Sequence, residues 1–269
     1  MENVNYYLDE DLHFLHSYDA NPNPSDFKSH THEKCEVYYF IAGKGKYHIE
    51  GSEYPLTSGD ILIMRSTESH YIEIDPRYPY ERIAVHFNEK LLRDLDSDNK
   101  LLSVFYDREA GKDNLFTSND FKTDDFKLYL RNMTYASRDQ RLQILMSLLP
   151  LLNELYNASV NRSDNTTQPE SNAYRIIRYV NDHLDEELSL DTICKEFYIS
   201  KPQLCRIFKR ATGSTVWEYV TVKRLMAAQR LIRSGIAVTE AARKCGFGDY
   251  TTFYRAYRKQ FGETPKKHK

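Results

Sequence analysis

The feature of the sequence that most constrains its fold is an internal repeat in the last hundred residues. The segment LCRIFKRATG at positions 204–213 aligns with FYRAYRKQFG at positions 253–262, at an offset of 49 residues. Each copy reads as a short helix, a tight turn and a second helix, which is the pattern of a helix-turn-helix. The repeat predicts two such units, joined by one continuous helix over residues 216–235 that ends at a glycine.

Local signals mark where the second helix of each copy begins. Ser200 is followed three residues later by Gln203, which predicts an N-terminal capping box. Pro202 falls in the first turn, where its missing N–H costs no hydrogen bond. Asp249 is the equivalent N-cap in the second copy. The two second helices are therefore predicted to begin directly after Ser200 and Asp249.

Each second helix has one apolar stripe and one outward face at about 100° per residue. The stripes are predicted to be buried, and they consist of Leu204, Ile207, Phe208 and Ala211, and of Phe253, Ala256 and Tyr257. Side chains that can bond phosphates or base edges face outward: Lys201, Pro202, Gln203, Arg206, Lys209, Arg210, Thr251, Thr252, Tyr254, Arg255 and Arg258. Arginine can bond guanine, glutamine can pair adenine and threonine can meet the thymine methyl, so these faces suit a reader of the DNA major groove.

The charge of the chain is divided between its two ends, although its net charge is only −2. Residues 170–269 hold 19 Lys and Arg against 11 Asp and Glu, whereas residues 1–169 hold 18 against 28. A basic half favours a polyanionic partner, because neutralising phosphates releases condensed counterions. The sequence therefore predicts double-stranded DNA as the partner of the C-terminal half and a different role for the N-terminal half.

The N-terminal half changes from strand to helix signals along its length. Short runs rich in Val, Ile, Tyr and Phe, separated by glycine turns, predict an antiparallel β-barrel or sandwich over residues 1–90. Apolar residues then recur at helical spacing over residues 121–157, with Pro150 expected to kink or break the helix. Polar residues follow. The predicted domains are 1–157, a linker at 158–170, and an all-α domain at 171–269.

The C-terminal hundred residues resemble the AraC/XylS family of bacterial transcription regulators. The resemblance rests on the repeat, on the GF-x-D-x(3)-F-x-R pattern that starts at Gly246, and on the closing FGETP. It implies two recognition helices, carried over to residues 201–210 and 250–259. Cys205 and Tyr250 join the candidate DNA contacts on this basis. The family analogy also implies a homodimer, and favours activation over repression, with RNA polymerase as a partner of an activator.

The N-terminal half carries a His-rich pattern that resembles the cupins, a family of small β-barrels. Two histidines, a glutamate and a later histidine fit its two motifs: His30, His32, Glu36 and His70. Arg65 and Thr67 stand where that family usually has Pro and Gly. Alternation along a strand would put His30 and His32 on one face. Imidazole and carboxylate together suit Zn, Fe, Ni or Mn.

Two hypotheses compete for this barrel. In the first, which we favour, it is a sensor that binds a small effector through His30, His32, Glu36, His70, Tyr38 and Tyr47. In the second, it is a metal-dependent sensor or a metallo-cupin enzyme, with the three histidines and Glu36 as metal ligands. The effector-sensor hypothesis predicts no cofactor and no enzymatic activity. Abundant tyrosine favours a carbohydrate effector, and the acidic half favours an uncharged or cationic one over a polyanion.

Other features of the sequence bear on its location and assembly. The N-terminal segment MENVNYYLDE lacks the pattern of a signal peptide, and the longest apolar stretch, residues 142–152, is too short to span a bilayer. The four cysteines show no metal or disulfide spacing. A cytoplasmic protein without a membrane partner is therefore expected. The apolar stripe of Leu142, Leu145, Leu149 and Leu152 fits either packing on the barrel or a dimer interface.

Overall fold

A computed structural model of the protein describes residues 2–93, 95–96, 98–135, 141–162 and 170–266. The strands are β1 Glu2–Leu8, β2 Leu12–Asp19, β3 Cys35–Ala42, β4 Gly45–Ile49, β5 Ser52–Pro55, β6 Ile61–Met64, β7 His70–Ile74, β8 Tyr80–Phe87 and β9 Leu115–Phe116. The helices are α1 Lys90–Arg93, α2 Lys100–Tyr106, α3 Asp125–Thr134, α4 Arg141–Asn161, α5 Asn172–Asp182, α6 Leu190–Phe197, α7 Lys201–Thr212, α8 Val216–Arg233, α9 Val238–Lys244 and α10 Tyr250–Phe261.

Two antiparallel sheets face each other in the N-terminal domain. The larger has the strand order β1-β2-β8-β3-β6-β9, and the smaller has the order β5-β4-β7. Side chains alternate across the larger sheet, as strand geometry requires. Tyr38 and Phe40 of β3 point inward to a core shared with the smaller sheet, whereas Cys35 and Val37 point outward to a core shared with the helices. The predicted β-rich domain with trailing helices is confirmed.

Helix α4 covers the outer face of the larger sheet, mostly with residues outside the stripe for which the sequence left barrel packing and a dimer interface open. The buried positions include Ile144, Leu148, Leu151 and Leu155, whereas Leu142 is 70% exposed. Leu145 and Leu149 are only partly buried, and Leu152 alone of the predicted stripe is fully buried. The helix is apolar on two faces, so its period did not identify the one that packs on the sheet. Pro150 lies inside the helix without breaking it.

The C-terminal domain consists of two helix-turn-helix units with separate cores, as predicted. The first unit buries the predicted stripe residues Leu204, Phe208 and Ala211 against α5, α6 and the start of α8. The second buries Phe253 and Tyr257 against α9 and the end of α8. Helix α8 contributes side chains to both cores, so it holds the two units in fixed relation. The caps at Ser200 and Asp249 both form, through the backbone N–H groups of Gln203 and Thr252, but the Gln203 side chain does not bond back to Ser200, so the predicted capping box is only half formed.

The predicted linker differs from the structure at its start. Residues 158–161 belong to the last turn of α4, where Ala158 packs into the outer core of the barrel. Residues 163–169, which hold most of the predicted linker, lie outside the described residues. Within the described ranges, no helix combines the length and apolar character needed to cross a membrane.

Candidate functional site

A cluster of three histidines and one glutamate lies at one end of the barrel interior. His30, His32, Glu36 and His70 each bring one ligand atom to within 4.8 Å of the others. The Glu36 carboxylate lies 3.1 Å from Nε2 of His32 and 3.2 Å from Nε2 of His70. Glu36 and His70 are buried, whereas His30 is exposed, so the cluster opens towards solvent at His30. The structure thus brings together four of the six predicted effector residues.

A fourth histidine, His86, belongs to the same cluster and was not predicted. Its Nε2 atom lies 3.3 Å from the Glu36 carboxylate, because strands β3 and β8 pair Glu36 directly with His86. His13 stacks on His86 with ring centroids 5.1 Å apart. The motif spacing gave no signal for His86. Its alternation with apolar residues in the run RIAVHF would have placed it on the inner face once the pairing of β3 and β8 was known.

The electrostatics of the cluster favour a negative Glu36 and a positive His70. Burial alone would raise the pKa of Glu36, but the charge of His86 and hydrogen bonds from the three histidines hold that pKa well below its usual value. Burial would likewise lower the pKa of His70, yet its hydrogen bond to Glu36 raises that pKa above its usual value. The cluster is therefore suited to polar or charged ligands rather than apolar ones.

The expectation that His30 and His32 share a strand is wrong. Both precede β3 in a loop, and His30 makes only an isolated bridge with His70. The backbone N–H and C=O groups of His30 and His70 pair at 3.1 Å. This pairing, rather than strand alternation, brings the two motifs together.

The two predicted tyrosines lie in the barrel core beside the cluster. The rings of Tyr38 and Tyr47 meet edge to face at 4.8 Å, and the ring of Tyr47 lies 6.0 Å from that of His70. The hydroxyl groups of Tyr38 and Tyr80 share a hydrogen bond of 2.7 Å. All three tyrosines are buried, so they form an aromatic wall with hydroxyl groups inside the barrel.

The predicted DNA-contacting residues form two exposed faces on α7 and α10. Tyr254 is partly buried, and all the others are exposed: Lys201, Pro202, Gln203, Cys205, Arg206, Lys209, Arg210, Tyr250, Thr251, Thr252, Arg255 and Arg258. Lys201 forms an ion pair of 2.9 Å with Asp191. The repeat therefore presents two matching basic surfaces on one scaffold.

A buried carboxylate joins the barrel to the C-terminal domain. Glu50 is 2% exposed and accepts hydrogen bonds from Lys223 and Tyr219 of α8. It also accepts a hydrogen bond of 2.9 Å from the side-chain amide of Asn181 and one of 2.6 Å from the backbone N–H of Ser69. Lys223 in turn donates to the Thr67 carbonyl at 2.6 Å. We call these five residues (Glu50, Thr67, Asn181, Tyr219 and Lys223) the interdomain node.

The interdomain node includes two residues in the left-handed backbone region. Glu50 has φ 46° and Thr67 has φ 70°. A β-branched residue such as Thr67 is strained in that region, and such strain persists only where surrounding contacts impose it. The cupin motif usually has glycine at the position of Thr67, and glycine adopts this backbone conformation without strain. Ser69, whose backbone N–H donates a hydrogen bond to Glu50 of the node, directly precedes His70 of the cluster.

A second contact between the domains involves the first recognition helix. The Tyr71 hydroxyl donates a hydrogen bond to the backbone carbonyl of Arg210, and the Arg210 side chain lies 4.0 Å from the Glu53 carboxylate. The smaller sheet of the barrel thus contacts the C-terminal end of α7, which carries one of the candidate DNA contacts.

These features define a two-domain protein with a barrel that holds a polar site and a helical domain that presents two helix-turn-helix units. Residues 17–114 match the family described as AraC-like ligand binding domain, and residues 193–269 match a family described as helix-turn-helix domain. The two matches together cover about two thirds of the chain. The chain belongs to the AraC family of DNA-binding transcription regulators.

Relatives of similar length match along almost the whole chain. The Msm operon regulatory protein of Streptococcus mutans is 22% identical over 95% of this chain and 96% of its own. The HTH-type transcriptional activator RhaS of Escherichia coli is 24% identical over 90% of this chain and 87% of its own. Among solved structures, ToxT of Vibrio cholerae is 13% identical with a TM-score of 0.37, over 95% of this chain and 97% of its own.

Proposed function

We propose that the protein is an effector-controlled transcription activator that binds DNA as a homodimer. A small effector, a carbohydrate by preference, binds inside the barrel at His30, His32, Glu36, His70, Tyr38 and Tyr47. Occupancy changes how the two helix-turn-helix units meet paired DNA sites. Activation over repression is supported by a relative that is named a transcriptional activator, and an activator requires RNA polymerase as a partner. Since its target is DNA, the proposed site of action is the cytoplasm.

One observation carries this proposal: the barrel cluster and helix α8 are joined by a short covalent and hydrogen-bonded route. His70 directly follows Ser69, and the backbone N–H of Ser69 donates a hydrogen bond to Glu50. Glu50 in turn accepts hydrogen bonds from Lys223 and Tyr219 of α8. A ligand shifts an equilibrium only through its different affinity for two states. A ligand that moves His70 would disturb the bonds that hold α8, and α8 fixes both recognition helices.

Replacing Arg206 or Arg255 by alanine tests whether the two faces read bases. Each change is expected to weaken binding to a selected duplex by about 1–3 kcal/mol, because a bidentate contact with guanine is lost. Fluorescence anisotropy with a duplex selected from a random pool measures the effect. Arg77→Ala is the matched control, because Arg77 is an exposed arginine of the barrel that pairs only locally with Asp75. Affinity unchanged from that control would remove the two arginines from the contact surface.

The proposed homodimer is supported by an exposed apolar patch on α4. Leu142 is 70% exposed and Met146 is 67% exposed, one helical turn apart. The partly buried Leu145 and Leu149 lie next to them along the helix. An apolar patch of this kind suits a twofold interface, in which the same surface is used by both copies.

A metal-dependent sensor is the second candidate, favoured by the donor set of the barrel cluster. Three imidazoles and one carboxylate within 4.8 Å of one another are a ligand set that suits Zn, Fe, Ni or Mn. Nε2 of His70 is buried and lies 3.2 Å from the Glu36 carboxylate, so both groups would be ligands of the same ion. A bound divalent ion would supply positive charge beside Glu36 and displace the proton of His70.

Metal analysis of protein purified without a histidine tag separates the two candidates. The effector hypothesis predicts no stoichiometric metal, and a normal melting temperature after dialysis against a chelator. The metal hypothesis predicts about one ion per chain, lost in His32→Ala. His48→Ala is the matched control, because His48 is a buried histidine of the smaller sheet that pairs with Glu73 and lies outside the cluster.

A further inference from the structure

The inner face of the larger sheet carries a second polar group, at the end opposite the histidines. Register pairs Glu36 with His86 at one end of strands β3 and β8, and Phe40 with Arg82 at the other. Ser17 of β2 lies directly opposite Arg82 on the same face. The two ends are four residues apart along β8, or about 13 Å. Arg82 therefore belongs to the same barrel interior as the cluster, but to a separate part of it.

The charge of Arg82 has no carboxylate partner. Within the described part of the chain, no carboxylate oxygen lies within 4.0 Å of its guanidinium, and three buried carboxylates at the opposite end of the barrel are engaged with other groups. Glu36 binds the histidines, Glu68 binds Arg108 at 2.8 Å, and Glu50 binds Lys223. Arg82 is only partly withdrawn from water, and the buried part of its charge has no counter-ion, which lowers the stability of the protein.

Two atoms on paired residues at this position, one on β8 and one on β2, lack hydrogen bonds. Nε of Arg82 and Oγ of Ser17 are both buried, and neither has a partner among the residues that the structure describes. Leaving a buried donor unsatisfied has a free-energy cost, so such pairs mark places where something else completes the bonding. Arg82 itself is partly exposed, so solvent and small molecules have access to it.

Aromatic rings hold the guanidinium in position without neutralising it. The rings of Phe27, Tyr38 and Tyr80 have their centroids 5.7–6.0 Å from Cζ of Arg82. The hydroxyl of Tyr80 interacts with Arg82, but a neutral phenol does not balance its charge. Tyr38 and Tyr80 use one hydroxyl hydrogen for the bond they share, so the other is free to be donated to a ligand.

We infer that Arg82 binds a carboxylate of the effector, with Ser17 and the Tyr38–Tyr80 pair as further hydrogen-bonding groups. The effector is then a small organic acid, and with a carbohydrate body it is a sugar acid. Planar guanidinium and planar carboxylate form two parallel hydrogen bonds, which gives both affinity and orientation. This inference rests on the proposed function, because it assigns a chemical class to the same effector. An acidic effector differs from the uncharged or cationic one that the acidic N-terminal half suggested. A cation at the binding site affects the affinity for a ligand more than the net charge of the whole domain does.

Thermal unfolding of the full chain without ligand is the first test. Arg82→Met is expected to melt at the same temperature as the wild-type protein or higher, because an unbalanced charge is removed. Arg77→Met is the matched control, because it removes a guanidinium group from the exposed surface of the barrel. A melting temperature several degrees below that of the control would show that Arg82 is a structural residue, and would overturn the inference.

Matched acid and neutral probes are the second test. D-galacturonate, D-glucuronate and acetate are compared with D-galactose, D-glucose and chloride at equal ionic strength. Acids are expected to raise the melting temperature of the wild-type and Arg77→Met proteins, by about 5 °C for a probe at one hundred times its Kd. Arg82→Met should abolish the shift while DNA binding remains. No shift with any acid would overturn the inference.

A neutral sugar that stabilises both the wild-type and Arg82→Met proteins would also overturn the carboxylate assignment, yet leave the proposed effector function intact. The proposed function itself fails separately, if a probe binds the barrel and DNA affinity measured with and without that probe is unchanged.

Discussion

Replacing Glu50 by glutamine is expected to lower the free energy of unfolding of the full chain by about 3–5 kcal/mol, because the change leaves Lys223 as a buried cation without a counter-ion. The side chain of Glu50 is 1% exposed and that of Lys223 is 10% exposed, so water screens neither. Glutamine retains the shape, and its one oxygen can still accept from Tyr219 and Asn181, but its amide nitrogen cannot accept from Ser69 or Lys223. The loss therefore reports on charge and hydrogen bonding rather than on packing. Urea unfolding measures it.

A double-mutant cycle makes this prediction specific. Lys223→Met should destabilise the protein by a similar amount, because it leaves Glu50 as the unpaired charge, and the double variant should be more stable than the sum of the two changes predicts. Glu240→Gln is the matched control, because Glu240 pairs with Lys244 at 3.0 Å on an exposed helix surface. Its expected cost is below about 0.5 kcal/mol. Equal effects of Glu50→Gln and the control would show that the interdomain node does not hold the domains together.

Raising the salt concentration from about 50 to 200 mM is expected to weaken DNA binding by about a thousandfold or more, if six or more phosphates are neutralised. The two faces carry six exposed cationic residues: Lys201, Arg206, Lys209, Arg210, Arg255 and Arg258. Neutralising phosphates with these groups releases counterions, so log Kd should rise linearly with log salt. Anisotropy titrations at four salt concentrations give the slope.

Single substitutions sharpen the salt prediction. Lys209→Ala should reduce the magnitude of the slope by about one if Lys209 contacts a phosphate. The barrel variant Arg77→Ala should leave the slope unchanged. A flat salt response of the wild-type protein would contradict phosphate contact by either face.

The sequence predicted the C-terminal domain well because each of its signals is local. The caps at Ser200 and Asp249, and the apolar residues Leu204, Phe208 and Phe253, act within one or two helical turns. The repeat then supplied an independent check, since both copies had to make the same structure. Its buried and exposed positions match the predictions except at three partly buried residues: Ile207 and Ala256, which were predicted to be buried, and Tyr254, which was predicted to be exposed.

The N-terminal domain was predicted less completely because its important contacts are not local. Strands β1 and β2 were not identified individually; in β2, His13 and Ser17 interrupt the apolar pattern on the inner face of the sheet. His86 joins the cluster only through the pairing of β3 with β8, about 50 residues apart in the chain. On α4, leucines on two faces made the buried one ambiguous, and of the stripe that fitted either the barrel or a dimer interface only Leu152 is fully buried.

The contacts between the domains could not be predicted from the sequence at all. Glu50 sits in a β-turn sequence, Glu-Gly-Ser, that is typical of an exposed hairpin. Its burial depends on Lys223 and Tyr219, which lie on the far side of the interdomain segment. No periodicity or spacing connects these positions. Only the packing of two separately folded units brings them together.

Footprinting of the full chain on a duplex selected from a random pool tests the central claim, that the duplicated units are two groove readers held in fixed relation by α8. Each protomer is expected to protect two major-groove segments, centred about one helical turn apart on one face of the DNA. A single protected segment per protomer would show that only one unit reads DNA, and no protection at low salt would contradict the claim altogether.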